Sequence, residues 1–409
     1  MTPEILTFGC RLNAYESEVM RGHAAGLADT VIVNTCAVTA EAERQARQAI
    51  RRTARTRPGA AIVVTGCAAQ IDPDRWAALP GVTRVLGNAE KLSAESWRPG
   101  AGSAVADIAA AADAPAPAVT EFAGRARACV QIQQGCDHHC TFCIIPQGRG
   151  RNRSVPLPAI IAQAASLLDN GFHELVLTGV DIASYGTDLP ERPTLGAMAA
   201  ALLAALPGLP RLRLSSIDPA AIDPALWRLL AEEPRLMPHL HLSMQAGADL
   251  ILKRMRRRHR RADALAVIAR ARRLRPETAF GADLIAGFPT ETDALFEATE
   301  SFVREAGLAY LHVFPYSERP GTPAARMPAV PPPVRRARAA RLREAGATAL
   351  RAFHAAAVGR TACVLMETQT EGRCENFARV RLACPQTPGT LLAARITAAH
   401  DDTLLAEPA

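Results

Sequence analysis

Gln134-Gly-Cys-Asp-His-His-Cys-Thr-Phe-Cys-Ile-Ile-Pro146 is the stretch from which the rest of the chain can be read. Its cysteines, Cys136, Cys140 and Cys143, follow a C-x3-C-x2-C spacing. Three thiolates so close in sequence wrap around one metal centre and leave one coordination position over. On a [4Fe–4S] cube, which ordinarily takes four cysteine ligands, that leaves one iron open to an exogenous ligand. Zinc sites come instead as C-x2-C pairs with a second pair downstream, and no second pair follows. His138 and His139, between the cysteines, read as loop residues. A disulfide is disfavoured because nothing marks the chain as secreted.

The chain of 409 residues has room for two or three domains, and 49% apolar with 21% charged residues describes an ordinary globular protein. The first residues lack the basic start and apolar core of a signal peptide, and no apolar run is long enough to span a bilayer. The expectation is a cytoplasmic protein without a membrane segment, in which ten cysteines serve as ligands or catalytic groups rather than bridges. The net charge is +7, and of 47 basic residues all but Lys91 and Lys253 are arginine. Arginine suits phosphate, which its planar fork grips bidentately; the same surplus also follows from a GC-rich coding bias.

Outward from the cysteine stretch, short apolar runs alternate with helical patterns. In residues 1–98, strands are expected at 5–9, 31–35, 61–66 and 82–87, with helices at 14–27 and 40–56. This alternation predicts a parallel sheet covered by helices. Cys10, Cys36 and Cys67 each follow one of these strands, so all three emerge at the carboxyl edge, where open α/β sheets bind ligands. Three cysteines at equivalent strand ends predict a second three-thiol site. Residues 99–121, rich in Ala, Pro, Gly and Ser, read as a linker.

In 122–333 six strands are expected, at 127–134, 174–180, 211–216, 239–244, 280–288 and 310–316. They predict a partial (β/α)6 barrel with its reactive residues at the carboxyl ends of the strands. The first strand runs straight into Cys136. By the same rule Gly179, Asp181, Ser216, Gln245 and Asp283 are candidate cofactor contacts. Two basic runs, 149–153 and 253–261, and the arginines of 335–343 read as a nucleic-acid track. A connecting helix at 334–358 and a small β-barrel at 359–409 complete the chain.

Placed in order, these motifs closely resemble the methylthiotransferase family of radical S-adenosylmethionine enzymes. The matching segments are Thr7-Phe-Gly-Cys-Arg-Leu-Asn-Ala-Tyr-Glu-Ser-Glu18, Val33-Asn-Thr-Cys-Ala-Val-Thr39, Val64-Thr-Gly-Cys67, the cysteine stretch with Phe142 before its last cysteine, His239-Leu-His-Leu-Ser243 and Gly281-Ala-Asp-Leu-Ile-Ala-Gly-Phe-Pro289. The resemblance implies a radical barrel, an auxiliary cluster domain and a C-terminal domain similar to the TRAM RNA-binding module. It implies two [4Fe–4S] clusters, one on Cys136, Cys140 and Cys143 with S-adenosylmethionine at its open iron, the other on Cys10, Cys36 and Cys67. It also implies a tRNA anticodon stem-loop as partner, an electron donor, a sulfur source and a monomer.

Phe-Gly-Cys-Arg-Leu-Asn, Cys-Ile-Ile-Pro with its arginine run and His312-Val-Phe-Pro-Tyr-Ser317 resemble the branch that modifies C2 of N6-threonylcarbamoyladenosine. Other branches act on N6-isopentenyladenosine or on a ribosomal-protein aspartate. A non-catalytic iron–sulfur tRNA-binding protein is the alternative from another class. A threonylcarbamoyl group ends in a carboxylate, so Arg149, Arg151 and Arg153 are candidate cations to meet it.

Overall fold

The computed structural model describes residues 3–114 and 116–409. Met1 and Thr2 of the expected leaderless start, and Pro115 of the linker, lie outside the described residues.

Strands β1 (Glu4–Thr7), β2 (Thr30–Thr35), β3 (Ala61–Gly66) and β4 (Val82–Val85) form a parallel sheet in that order. Its central members, β2 and β3, are runs of Val, Ile and Thr that are buried nearly throughout, as a sheet covered on both faces requires. Helix α1 (Arg11–His23) starts directly after Cys10, and α2 (Ala40–Thr56) starts where the Thr39 hydroxyl accepts from the Ala42 amide. The short α3 (Cys67–Ile71) begins with Cys67 itself. Gly66 makes the strand-to-helix turn at φ +96, and a Cβ there would stand 2.3 Å from the Thr35 carbonyl oxygen.

The second unit opens with β5 (Ala128–Gln131) and a two-residue ribbon of β6 (Gln133–Gln134) and β7 (Arg153–Ser154). It continues through β8 (Glu174–Thr178), β9 (Arg211–Leu214), β10 (His239–Gln245), β11 (Ala279–Ala286) and β12 (Tyr310–Pro315). These pair in parallel as β5-β8-β9 and β10-β11-β12, joined by single bridges Leu212–Leu236 and Ile217–Leu242. The result is the open six-stranded barrel expected. Its apolar core takes in Leu12, Tyr15 and Val19, so α1 is built into the barrel as well as into its own sheet.

A helix over Pro332–Ala355 leads to β13 (Thr361–Met366), β14 (Glu371–Arg373), β15 (Arg379–Leu382), β16 (Leu391–His400) and β17 (Thr403–Pro408), a closed barrel. It seals the amino end of the large barrel. Glu174, first in β8, is buried against the Arg213 guanidinium at 2.8 Å, with Arg211 at 3.3 Å and Arg127 at 3.6 Å. Those arginines reach on to the small barrel: Arg211 donates to the Cys363 and Arg373 carbonyls and Arg213 to that of Glu375. Phe377, at φ +72, places its ring 4.9 Å from the Arg213 guanidinium, 5.1 Å from Arg127 and 4.4 Å from Arg373, and stacks on His239. A positive φ is strained for so bulky a residue, and cation–π contacts offset that strain.

Candidate functional site

The carboxyl edges of the two parallel sheets face each other. Gly9 turns at φ +93, and a Cβ there would stand 2.6 Å from the Cys36 sulfur, so this glycine lets the Cys10 loop close on Cys36. Asn13 ties the same two loops by donating to the Phe8 carbonyl at 2.7 Å and the Thr35 carbonyl at 3.0 Å. Cys10 is exposed while Cys36 and Cys67 are buried, and the three thiols act on one another's charge. Burial, with Cys67 and Cys10 nearby, pushes the Cys36 thiol up to about 12.

Cys136, Cys140 and Cys143 lie half-buried on the loop after β6. Burial raises Cys136 to about 12, with Asp181 adding to it, and Cys143 to about 11. Thiols raised in this way, Cys36 in one set and Cys136 and Cys143 in the other, hold their protons until a metal displaces them. Among the described residues the one His, Cys, Asp or Glu trio whose ligand atoms all lie within 4.8 Å of one another is His241, Asp283 and His312. Neither cysteine set is drawn that tight. A single ion pulls its ligands together, whereas an iron–sulfur cube holds its thiolates further apart, so a set of three thiols not drawn tight is compatible with a cube.

The other expected residues divide. Phe142, Gln245 and Asp283 line one cleft with Cys143, and Val38, Thr39 and Tyr316 complete its walls. Gln245 sits at φ +70 where the pairing of β10 with β11 slips, a strained backbone of the kind found at binding sites. Asp181 stands 2.9 Å from His138 and accepts from the Ser184 hydroxyl at 2.5 Å; burial, which would raise its pKa, is outweighed by these bonds. Gly179 abuts Gln133, where a Cβ would come within 2.8 Å of the side-chain oxygen. Ser216 is half-buried.

The arginines near the mouth are not what their spacing predicts. Arg149 is 2% exposed. It forms a buried pair with Glu16 and donates to Asn13, Gln134 and, at 3.0 Å, the Cys67 sulfur. Lys91 reaches the same carboxylate at 2.6 Å, and Arg149 and Lys91 together outweigh burial and hold Glu16 at about 2. Arg149 is thus a bolt between the sheet domain and the barrel, and its expected role against a substrate is corrected. Arg153 is also buried, donating to the Arg149 and Ala111 carbonyls. Only Arg151 stays at the surface, 3.7 Å from Asp137.

The run at 253–261 is likewise divided. Arg257 donates to the Cys140 sulfur at 3.5 Å and pairs with buried Asp218 at 3.0 Å, while Lys253, Arg256, Arg258 and Arg260 are exposed. In the third run Arg335 and Arg338 are buried in pairs with Glu318, Glu291 and Asp293. Sequence reasoning missed Glu16, Lys91 and Asp218. The signal available was Glu16 within the first motif and Lys91 as one of only two lysines.

An open barrel with three thiols on the loop after its first strand, facing an α/β sheet with three more, is the architecture of a two-site radical S-adenosylmethionine protein. Residues 130–303 match the Radical SAM superfamily and residues 2–87 the Uncharacterized protein family UPF0004. A solved radical S-adenosylmethionine methyltransferase, TsrM from Kitasatospora setae, shares the fold at TM-score 0.54 and 15% identity, covering 77% of this chain and 69% of that one. The Threonylcarbamoyladenosine tRNA methylthiotransferase MtaB of Rickettsia prowazekii is 49% identical over 93% of this chain and 91% of its own. The tRNA-2-methylthio-N(6)-dimethylallyladenosine synthase of Cereibacter sphaeroides is 34% identical over 98% and 97%. The chain belongs to the radical S-adenosylmethionine methylthiotransferase family, whose cofactors are S-adenosylmethionine and [4Fe–4S] clusters.

Proposed function

We propose that this chain places a methylthio group on C2 of N6-threonylcarbamoyladenosine next to the anticodon of tRNA. The observation that carries the reading is the 49% identity to a relative named for that substrate, against 34% to one named for the dimethylallyl nucleoside. Cys136, Cys140 and Cys143 hold the cluster that takes S-adenosylmethionine; Cys10, Cys36 and Cys67 hold the auxiliary cluster. When bound, these cofactors supply a carbon-centred radical at one site and a methylthio donor at the other.

The chain's own residues prepare the space between. Phe142, Gln245 and Asp283 frame the cleft beside Cys143, and Gly179, Asp181 and Ser216 line the strand ends around the cofactor. Arg149 holds the auxiliary loops against the barrel through Glu16 and Asn13. The exposed Lys253, Arg256, Arg258 and Arg260 grip tRNA phosphates by charge. No helix among the described residues is long and apolar enough to cross a membrane. The reading calls for a cytoplasmic monomer served by an electron donor and a sulfur source.

Nucleoside mass spectrometry of total tRNA from cells with and without the gene tests it. Loss of the methylthio form of threonylcarbamoyladenosine, with its precursor accumulating, is expected. Loss of the methylthio dimethylallyl form instead would overturn the substrate assignment while leaving the family intact.

A further inference from the structure

Arg11 follows Cys10 directly and opens α1, the helix that packs against β5. It is half-buried, yet among the described residues its guanidinium has neither a hydrogen bond nor an ion pair. That is unusual in this chain, where buried Arg149, Arg213, Arg335 and Arg338 each hold a carboxylate. The charges that act on Arg11 come from Cys129 on β5, from Arg127 and Arg213 at the barrel floor, and from Asp283 on β11. Arg11, half-buried where α1 packs on β5, thus lies toward the barrel lumen on the side of Asp283, which lines the cleft beside Cys143.

The nearby acid does not pair with it. Asp283 Oδ1 accepts from His241 Nε2 and from His312 Nδ1, each at 3.1 Å. Its carboxylate is held by two imidazoles on the flanking strands. Glu174, the lumen's other acid on the floor, is taken up by Arg213, Arg211 and Arg127. A partly desolvated guanidinium without a partner is unfavourable, and an arriving carboxylate would relieve it with a charge-assisted, bidentate bond.

We propose that Arg11 is the residue that reads the carboxylate of the adenosine's N6 arm, and that the His241–Asp283–His312 unit keeps Asp283 from competing for it. The proposal rests on the substrate reading above. It assigns to the auxiliary domain, one residue from Cys10, the discrimination between an acidic and an apolar N6 arm. His312, the outer imidazole of that unit, is more than half open to solvent.

The test uses anticodon stem-loop RNAs carrying N6-threonylcarbamoyladenosine or its methyl ester, which removes the charge and keeps the shape. RNA binding is read by fluorescence anisotropy, and KM and kcat for methylthiolation are read on the loaded full-length enzyme. Wild type is expected to favour the acid by at least about tenfold, the scale of a charged hydrogen bond. Arg11→Gln should abolish that preference through KM, by weakening the acid and sparing the ester. Arg11→Lys should restore part of it, and His312→Ala should reduce it by less than Arg11→Gln does.

A preference that survives Arg11→Gln with wild-type methylthiolation intact would overturn the proposal alone. No methylthiolation of the acid RNA by wild type would overturn the substrate reading and the proposal together. Loss of cofactor cleavage in the absence of RNA, or loss of half the iron, in both Arg11 variants would put Arg11 at the cofactor or the cluster and also overturn it.

Discussion

At the carboxyl end of the barrel strands, Cys143, Gln245, Asp283 and Tyr316 line an open cleft; at the amino end, Phe377 closes the lumen among Arg127, Arg213 and Arg373. Both ends bury arginines against a carboxylate. At the amino end Arg211 and Arg213 also donate to backbone carbonyls of the small barrel, and Arg127 pairs with its Glu367, so the cluster joins two domains. At the carboxyl end Arg149 and Arg257 each give one hydrogen bond to a cysteine sulfur. The same pairing thus seals one end and, at the other, also touches the chemistry. The difference lies in what surrounds the pair: a folded domain in one case, thiols and open space in the other.

The sharpest way to break this contrast is at the open end. Replacing Cys10, Cys36 and Cys67 together with Ala should halve the iron from ~8 to ~4 per chain after anaerobic reconstitution. It should abolish methylthiolation, leave cleavage of S-adenosylmethionine, and leave the unfolding temperature of the metal-free protein nearly unchanged. A triple variant that lost all iron while still folded would merge the two sites into one.

The sealed end should behave in the opposite way. Glu174→Gln leaves Arg211 and Arg213 without a carboxylate, while Arg127 keeps Glu367, and should lower stability by ~3–5 kcal/mol, measured by urea unfolding. Activity per folded molecule should hold at a permissive temperature. Glu174 also gives the contrast a pH signature. Arg213 chiefly, with Arg127 and Arg211, outweighs burial and holds it near 2, below the ordinary 4.5. Its folded value is depressed, so its contribution is fully present above about 4.5 and is lost as pH falls toward 2. Thermal unfolding midpoints of wild type should drop between pH 6 and pH 3 by more than those of Glu174→Gln. Parallel curves would show that Glu174 is not the group responsible.

The smallest effect is expected for Phe377→Leu. The apolar contact stays, the cation–π part goes, and about 0.5–1 kcal/mol should be lost. Relief of strain at φ +72 is not expected, since leucine is no better suited to it.

The parts of this molecule that could be read from sequence are those set by local pattern. β3 and α2 fall at their expected bounds, 61–66 and 40–56, because a valine-rich run and a threonine-capped amphipathic run declare themselves. Helix α1 begins three residues before its expected start, because Cys10 itself takes the cap position. Strands β14 and β17 leave little local trace; one has three residues and the other ends in Glu and Pro. Arg149 was misread for a different reason. An Arg-Gly-Arg-Asn-Arg run looks solvated, and its partner Glu16 lies 133 residues away. Tertiary pairing of charges leaves no local trace. The same limit hid Arg257 inside a run that reads as a nucleic-acid track.

The bond from Arg149 to Cys67 has one more consequence. Hydrogen bonds to cluster sulfurs tune reduction potential, and this one comes from the side chain that also clamps Glu16 and Asn13 across the domain boundary. With the proposed cluster on Cys10, Cys36 and Cys67, any loosening of that boundary would lengthen the bond to sulfur and make that cluster harder to reduce. The potential of the proposed cluster would then work as a strain gauge: its voltammogram would report how tightly the two halves of the enzyme are closed.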